Sequence, residues 1–150
     1  MSKPRYNWWG FMLAMIRDYP ARSQALKDLR EQKITADLSG MPRGGGASRS
    51  TENLSLRQLP RQEQLEYDAV HTAVRRAQAQ KEAALRMDVV KLTLWRGYTI
   101  PEAAIHTHTS ESAAQLYRWQ FIMWVGVAYG LITEAEYQTE LKKRLGKIKV

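Results

Sequence analysis

Residues 88–131 read DVVKLTLWRGYTIPEAAIHTHTSESAAQLYRWQFIMWVGVAYGL, and this stretch decides the fold. Gly97 follows an apolar segment at the point where a left-handed residue would close a helix. Thr99 and Glu102 have the T-x-x-E spacing of a capping box, and Pro101 stands in the first turn, where its missing N–H costs nothing. The pattern therefore predicts one helix that ends before Gly97 and a short second helix directly after it.

A tight turn and a longer helix follow. Residues 106–109, His-Thr-His-Thr, supply the predicted turn, and Ser110 is a favourable N-cap residue. Apolar side chains recur at helical spacing on one face of the longer helix: Ala114, Tyr117, Phe121, Trp124, Val125 and Ala128. A second face is polar and carries Glu111, Ser112, Gln115 and Arg118. This layout is typical of a helix-turn-helix, whose second helix enters the DNA major groove; the alternative is three helices of an ordinary bundle.

Positive charge is scarce in this stretch. Between Gly97 and Leu131 one basic residue, Arg118, stands against two acidic residues, Glu102 and Glu111, which gives a formal net charge of −1. Neutralisation of phosphates normally supplies much of the affinity for DNA. If the stretch binds DNA, other parts of the chain must supply the phosphate contacts.

The whole chain is basic and lacks cysteine. Its 150 residues carry a formal net charge of +8, which indicates an anionic partner, most often nucleic acid, although a basic protein that binds none is the alternative. The absence of cysteine fits a cytoplasmic setting and removes thiol zinc sites and cysteine nucleophiles. No run approaches the roughly 18 apolar residues of a membrane span. Arg17-Asp18 directly follows the N-terminal apolar patch, so we expect no signal peptide.

The N-terminal region, residues 1–39, is predicted to be a helical hairpin. An apolar stripe from Tyr6 to Tyr19 predicts the first helix, and Pro20 is expected to end it and open the second. Residues 40–50 contain three consecutive glycines with proline and serine, a composition typical of a flexible linker.

Residues 51–87 are predicted to form a long central helix. Its apolar face is narrow and rich in alanine, which suits close helix pairing or a coiled-coil-like dimer contact. The basic residues Arg75, Arg76, Lys81 and Arg86 fall mostly away from that face, where a solvated surface is expected. The pattern leaves open whether this helix runs unbroken into the next or turns near Lys81-Glu82.

Residues 88–150 are the predicted helix-turn-helix domain, which ends in a basic helix carrying Lys142, Lys143 and Arg144. No alternating apolar pattern occurs, so the predicted fold class is all-α. His106 and His108 form an H-x-H pair without a nearby cysteine or carboxylate cluster, and turn or phosphate contacts are favoured over zinc. We expect no metal, no cofactor and no catalytic residues, because no activated nucleophile or partnered acid and base appears.

Several stretches, in their order, resemble the RinA/ArpU-type phage and prophage transcriptional regulators of Gram-positive bacteria. They are Tyr6-Asn7-Trp8-Trp9, Met15-Ile16-Arg17-Asp18-Tyr19-Pro20, Gly44-Gly45-Gly46, Ser48-Arg49-Ser50-Thr51-Glu52, Glu66-Tyr67-Asp68-Ala69-Val70 and Gly130-Leu131. The resemblance covers residues 6–131. It implies a C-terminal part similar to the promoter-reading domain of sigma factors, and a role in late or packaging gene expression.

The sequence thus predicts a regulator that binds double-stranded DNA in the bacterial cytoplasm, at the nucleoid. In the proposed roles Arg118 pairs with guanine, Gln115 with adenine and Glu111 with cytosine, next to Ser112. The expected contacts to the DNA backbone are Lys91, Arg96, Thr99, His106, Thr107, His108, Ser110, Lys142, Lys143 and Arg144. A homodimer and a contact with RNA polymerase are also expected. The alternatives are an adaptor that binds RNA polymerase and an oligomer similar to a terminase small subunit.

Overall fold

The computed structural model describes residues 7–39 and 59–148, with side chains for 7–31 and 59–146. All regular elements in these ranges are helical, which confirms the predicted all-α class. They are α1 (Trp9–Ser39), α2 (Arg61–Gln78), α3 (Ala83–Val90), a π-helix (Lys91–Trp95), α4 (Ile100–Thr107), α5 (Glu111–Tyr129) and α6 (Glu134–Ile148). Within the described ranges, no helix is long and apolar enough to cross a membrane. The linker predicted at 40–50 lies outside them.

The predicted N-terminal hairpin is wrong, because α1 is one helix that continues through Pro20. Proline has no N–H, so the carbonyl of Ile16, four residues earlier, loses its donor within the helix. The indole Nε1–H of Trp95 donates to that carbonyl oxygen at 2.6 Å. A donor from a distant part of the chain therefore replaces the missing backbone hydrogen bond.

The π-helix holds Trp95 in this position. The backbone N–H of Arg96 donates to the carbonyl of Lys91 at 3.0 Å, five residues back, so the turn is wider than an α-helical one. The Trp95 ring stacks on Tyr19 with centroids 5.8 Å apart and meets Phe121 edge to face at 6.0 Å. Trp95 thus connects α1, the π-helix and α5.

The predicted central helix is broken. Helix α2 ends at Gln78 and α3 begins at Ala83, so the alternative with a turn near Lys81-Glu82 is the observed one. Glu82 adopts a left-handed conformation with φ of 57°, and its carboxylate accepts a hydrogen bond from the Tyr117 hydroxyl at 2.9 Å. This contact holds the break against α5.

The main hydrophobic core joins regions that the sequence divides at 39/40 and 87/88. Its large, fully buried members come from α1, α2, α3, α5 and α6: Met12, Met15, Ile16, Val70, Val90, Phe121, Ile122, Met123, Val125 and Tyr137. Helices α1 and α5 approach closely at Gly126, where an added Cβ would lie 2.7 Å from the Met12 sulfur. At this point the N-terminal helix is packed on the second half of α5.

Two arginines expected on a solvated face are built into the packing instead. Arg76 makes a two-pronged ion pair with Glu134, at 2.7 and 3.0 Å, and lies 5.0 Å from the Trp124 ring centroid. Arg86 donates to the Gln120 side chain at 2.7 Å and covers the Tyr117 ring at 4.5 Å. Arginine stacks well on aromatic faces. Both guanidinium groups therefore interact with side chains of the protein itself.

Candidate nucleic-acid interface

Local capping places the two helices of the candidate site. The N–H of Glu102 donates to the Thr99 hydroxyl at 3.3 Å, and the N–H of Thr99 donates to the Glu102 carboxylate at 3.0 Å. These reciprocal bonds form the predicted capping box at the start of α4. At the start of α5, the Ser110 hydroxyl accepts from the N–H of Ala113 at 3.1 Å, as an N-cap residue does.

The connection between α4 and α5 is short. Helix α4 extends to Thr107, so the turn consists of residues 108–110 and His106 belongs to the helix. His108 has a left-handed φ of 56°, and the N–H of Thr109 donates to the carbonyl of Ala104 at 3.0 Å. The connection between the two helices is thus three residues long.

Helices α3, α4 and α5 also share a small cluster of their own. Val89, Ala104 and Ala114 are buried together, with Leu85, Ile100 and Tyr117 packed around them. The two alanines let the helix backbones come close, which fixes how α5 is held against α4. This cluster positions the first half of α5, which contributes Ala114 and Tyr117 to it.

The four side chains predicted to read bases lie on one side of the first half of α5. Glu111, Ser112 and Gln115 are exposed, and Arg118 is half-buried. None of the four side chains has a hydrogen bond or ion pair with any other side chain or backbone group described in the structure. Partial burial lowers the pKa of the Arg118 guanidinium. The structure therefore offers a polar face of α5 that is left unpartnered.

The predicted backbone contacts around the turn are placed unevenly. His106 and His108 are exposed, and the His106 ring lies 5.1 Å from the ring of Tyr98. The hydroxyls of Thr99 and Ser110 already cap helices, and Thr107 donates to the carbonyl of Ala103 at 2.8 Å. Each of these three hydroxyls can still accept a further hydrogen bond, but each already makes one that stabilises a helix.

Lys91 and Arg96 lie at opposite ends of the π-helix. Arg96 is exposed beside Tyr98, near the α4 end of the site. Lys91 is exposed in a groove with Tyr19 and Val74, which belong to α1 and α2. The structure therefore does not bring Lys91 together with the polar face of α5.

The C-terminal helix brings cations to the side of α5. The Arg144 guanidinium lies over the Trp119 ring, 4.7 Å from its centroid. Trp119 directly follows Arg118 in the chain. Burial lowers the pKa of Arg144. Lys142 is exposed, and Lys143 pairs with Glu140 at 3.6 Å. The positive charge on α6 thus partly offsets the shortage of positive charge in residues 97–131.

Two aromatic residues of this surface were missed in the sequence. Tyr98 contacts His106, and Trp119 supports Arg144. Tyr98 and His106 are eight residues apart in the sequence, and Trp119 and Arg144 are 25 apart. No helical or strand periodicity links either pair. Only the packed structure reveals these contacts.

The comparisons with known proteins give one similarity. The chain is 38% identical over 60 residues to a protein of Streptococcus phage O1205 named as an autolysin regulatory protein, ArpU. The matched segment is 39% of this chain and 42% of the phage protein, so less than half of either is covered. No protein-family model matches the chain. No solved structure matches it.

Proposed function

We propose that this protein is a sequence-specific, DNA-binding transcriptional regulator of phage origin. Helices α4 and α5 act as a helix-turn-helix, similar to the promoter-reading domain of sigma factors. The observation that carries the proposal is the face formed by Glu111, Ser112, Gln115 and Arg118, which is unpartnered and follows a three-residue turn. The similarity to a phage regulatory protein supports a regulatory role.

In this proposal α5 lies in the major groove. Arg118 donates two hydrogen bonds to O6 and N7 of guanine, and Gln115 makes a paired contact with adenine. Glu111 accepts from the N4 amine of cytosine. Arg118 is suited to this role because its guanidinium is already partly stripped of water and has no acidic partner in the described chain.

Phosphate contacts come from the flanks of α5. Lys142 and Arg144 lie on α6, His106 and His108 lie at the turn, and Arg96 precedes α4. Lys91 is less well placed, since it faces α1 and α2. The proposal includes no catalytic, metal or cofactor site, and it places the protein in the bacterial cytoplasm as a dimer acting on late or packaging genes.

Selection of duplexes from a random pool, followed by fluorescence anisotropy, tests the proposal. Direct recognition predicts an enriched sequence motif and an affinity that falls with salt, with a log–log slope of about −0.9 for each phosphate contacted. Lys142→Gln should reduce the magnitude of the slope by roughly one phosphate contact, whereas Lys27→Gln, an exposed control on α1, should not. Absence of any enriched motif would contradict sequence-specific binding.

A second candidate is an adaptor that binds RNA polymerase. It is favoured by the net charge of −1 for residues 97–131 and by Ile105, an apolar side chain on α4 that is 74% exposed. An adaptor binds DNA weakly and without preference but is retained by purified polymerase. Ile105→Ser should abolish that retention and leave DNA affinity unchanged. A large ring in light scattering would instead indicate an oligomer similar to a terminase small subunit.

A further inference from the structure

A surface groove lies outside the candidate DNA-reading face, and none of the residues that line it belongs to α5. It has a volume of about 420 Å³, within the range of small-molecule sites. Its lining comes from α1, α2, α3 and the π-helix: Tyr19, Val74, Met87, Asp88, Lys91 and Trp95. The groove is thus built where separate elements of the fold meet.

The walls of the groove are apolar and aromatic. The rings of Tyr19 and Trp95 are stacked, with centroids 5.8 Å apart and an angle of 24° between the ring planes, and Met87 is a buried residue of the same lining. Aromatic edges and a methionine sulfur favour contact with another aromatic ring. The Trp95 ring is held firmly, because its indole N–H is bonded to the Ile16 carbonyl.

Two opposite charges stand at the rim. Asp88 and Lys91 are both exposed and three residues apart, which puts their Cβ atoms about 5–6 Å apart on a helix surface. Neither side chain has a hydrogen bond or ion pair with the described side chains or backbone, and they do not pair with each other. A carboxylate and an ammonium are therefore both available beside an aromatic wall.

We propose that this groove binds a small zwitterion with an aromatic ring, the chemical class of the free aromatic amino acids. Such a molecule carries an ammonium and a carboxylate on the same carbon, and these match Asp88 and Lys91. Its ring enters the groove against Tyr19 and Trp95. The bound molecule touches α1, α2, α3 and the π-helix together, so it stabilises the docking of α1 on the rest of the fold.

Titration of the full-length protein with L-tryptophan, followed by ¹H–¹⁵N NMR, tests this proposal. Binding with a dissociation constant of about 1 mM or tighter should shift the Trp95 indole N–H and the amides of Ala83 and Ala84. Tryptamine lacks the carboxylate and indole-3-propionate lacks the ammonium, and each should bind at least about fivefold more weakly. Equal binding of all three, or no shift with about 10 mM L-tryptophan, overturns the proposal.

Variants locate the site. Asp88→Asn and Lys91→Gln should each weaken L-tryptophan at least about fivefold, whereas Lys81→Gln, an exposed control outside the groove, should not. Ala84→Trp fills the groove and should abolish binding, while Ala135→Trp on α6 should leave it intact. Binding that survives Ala84→Trp refutes the assignment. The titration contains no DNA, so its outcome can be judged separately from that of the DNA-binding experiments, and none of the groove residues lies on α5.

Discussion

Replacing Trp95 by phenylalanine tests how α1 tolerates Pro20. The substitution keeps an aromatic ring against Tyr19 and Phe121 but removes the N–H that donates to the Ile16 carbonyl at 2.6 Å. A buried carbonyl left without a donor costs about 1–3 kcal/mol. We therefore expect Trp95→Phe to lower the free energy of unfolding by about that amount, measured by urea denaturation monitored by circular dichroism.

The decisive comparison is a double-mutant cycle with Pro20→Ala. Alanine restores an N–H four residues after Ile16, so the carbonyl has a donor even when Trp95 is lost. In that background Trp95→Phe should cost only the difference in packing, and the two substitutions should be coupled by about 1–2 kcal/mol. Trp124→Phe is the matched control, because the buried Trp124 Nε1 has no hydrogen-bond partner to lose.

Equal destabilisation by Trp95→Phe with proline or with alanine at position 20 would contradict this role of the indole N–H. A coupling within about 0.3–0.5 kcal/mol of zero is the usual result for independent sites. Such a value would mean that the indole contributes packing alone. It would also leave the continuity of α1 through Pro20 unexplained.

Three further predictions concern stability. His108→Gly should raise the free energy of unfolding by about 0.5–1 kcal/mol in chemical denaturation, because glycine adopts the left-handed φ of 56° without strain; a loss of stability would contradict this. Hydrogen bonds from Arg76 lower the pKa of Glu134, so this pair stabilises the fold fully above pH 4.5, the ordinary pKa of the carboxyl group, and the stabilisation is lost as the pH falls through the lowered pKa. Arg76→Gln should make the free energy of unfolding depend less steeply on pH in that range. An unchanged dependence on acid pH would refute this prediction. Burial, with a contribution from Tyr67, raises the pKa of Tyr19 from 10.0 to about 12. The neutral phenol therefore stabilises the fold fully below pH 10, and this stabilisation is lost as the pH rises towards 12. Tyr19→Phe should remove this contribution to the alkaline loss of stability, and an alkaline profile identical to that of the wild type would contradict the prediction.

Local signals in the sequence account for the parts that were predicted well. The caps at Thr99 and Ser110 join residues three positions apart, so the chain encodes them without help from the rest of the fold. The same applies to Gly97, which has the predicted left-handed conformation, with a φ of 74°. Helical spacing predicts the exposure of Glu111, Ser112 and Gln115, but it also places Ala128 on the apolar face, and Ala128 is exposed.

Long-range contacts account for the errors. Pro20 is a helix breaker by its own chemistry, and its rescue depends on Trp95, 79 residues from the accepting carbonyl in sequence. The break after Gln78 contains neither glycine nor proline, and Glu82 takes a left-handed conformation within the packing against Tyr117. The sequence predicts that Arg76 and Arg86 lie on a solvated surface, because their aromatic partners, Trp124 and Tyr117, lie on a later helix.

The central claim is that the unpartnered face of α5 reads DNA bases, and Arg118→Ala tests it most directly. The measurement compares wild-type and variant affinities for the selected duplex and for duplexes changed at single base pairs, at one salt concentration. We expect the variant to lose discrimination at one base pair, by about 1–3 kcal/mol, and to keep the wild-type preference elsewhere. If Arg118→Ala weakens every duplex equally, or changes none, the face does not read bases and the account is wrong.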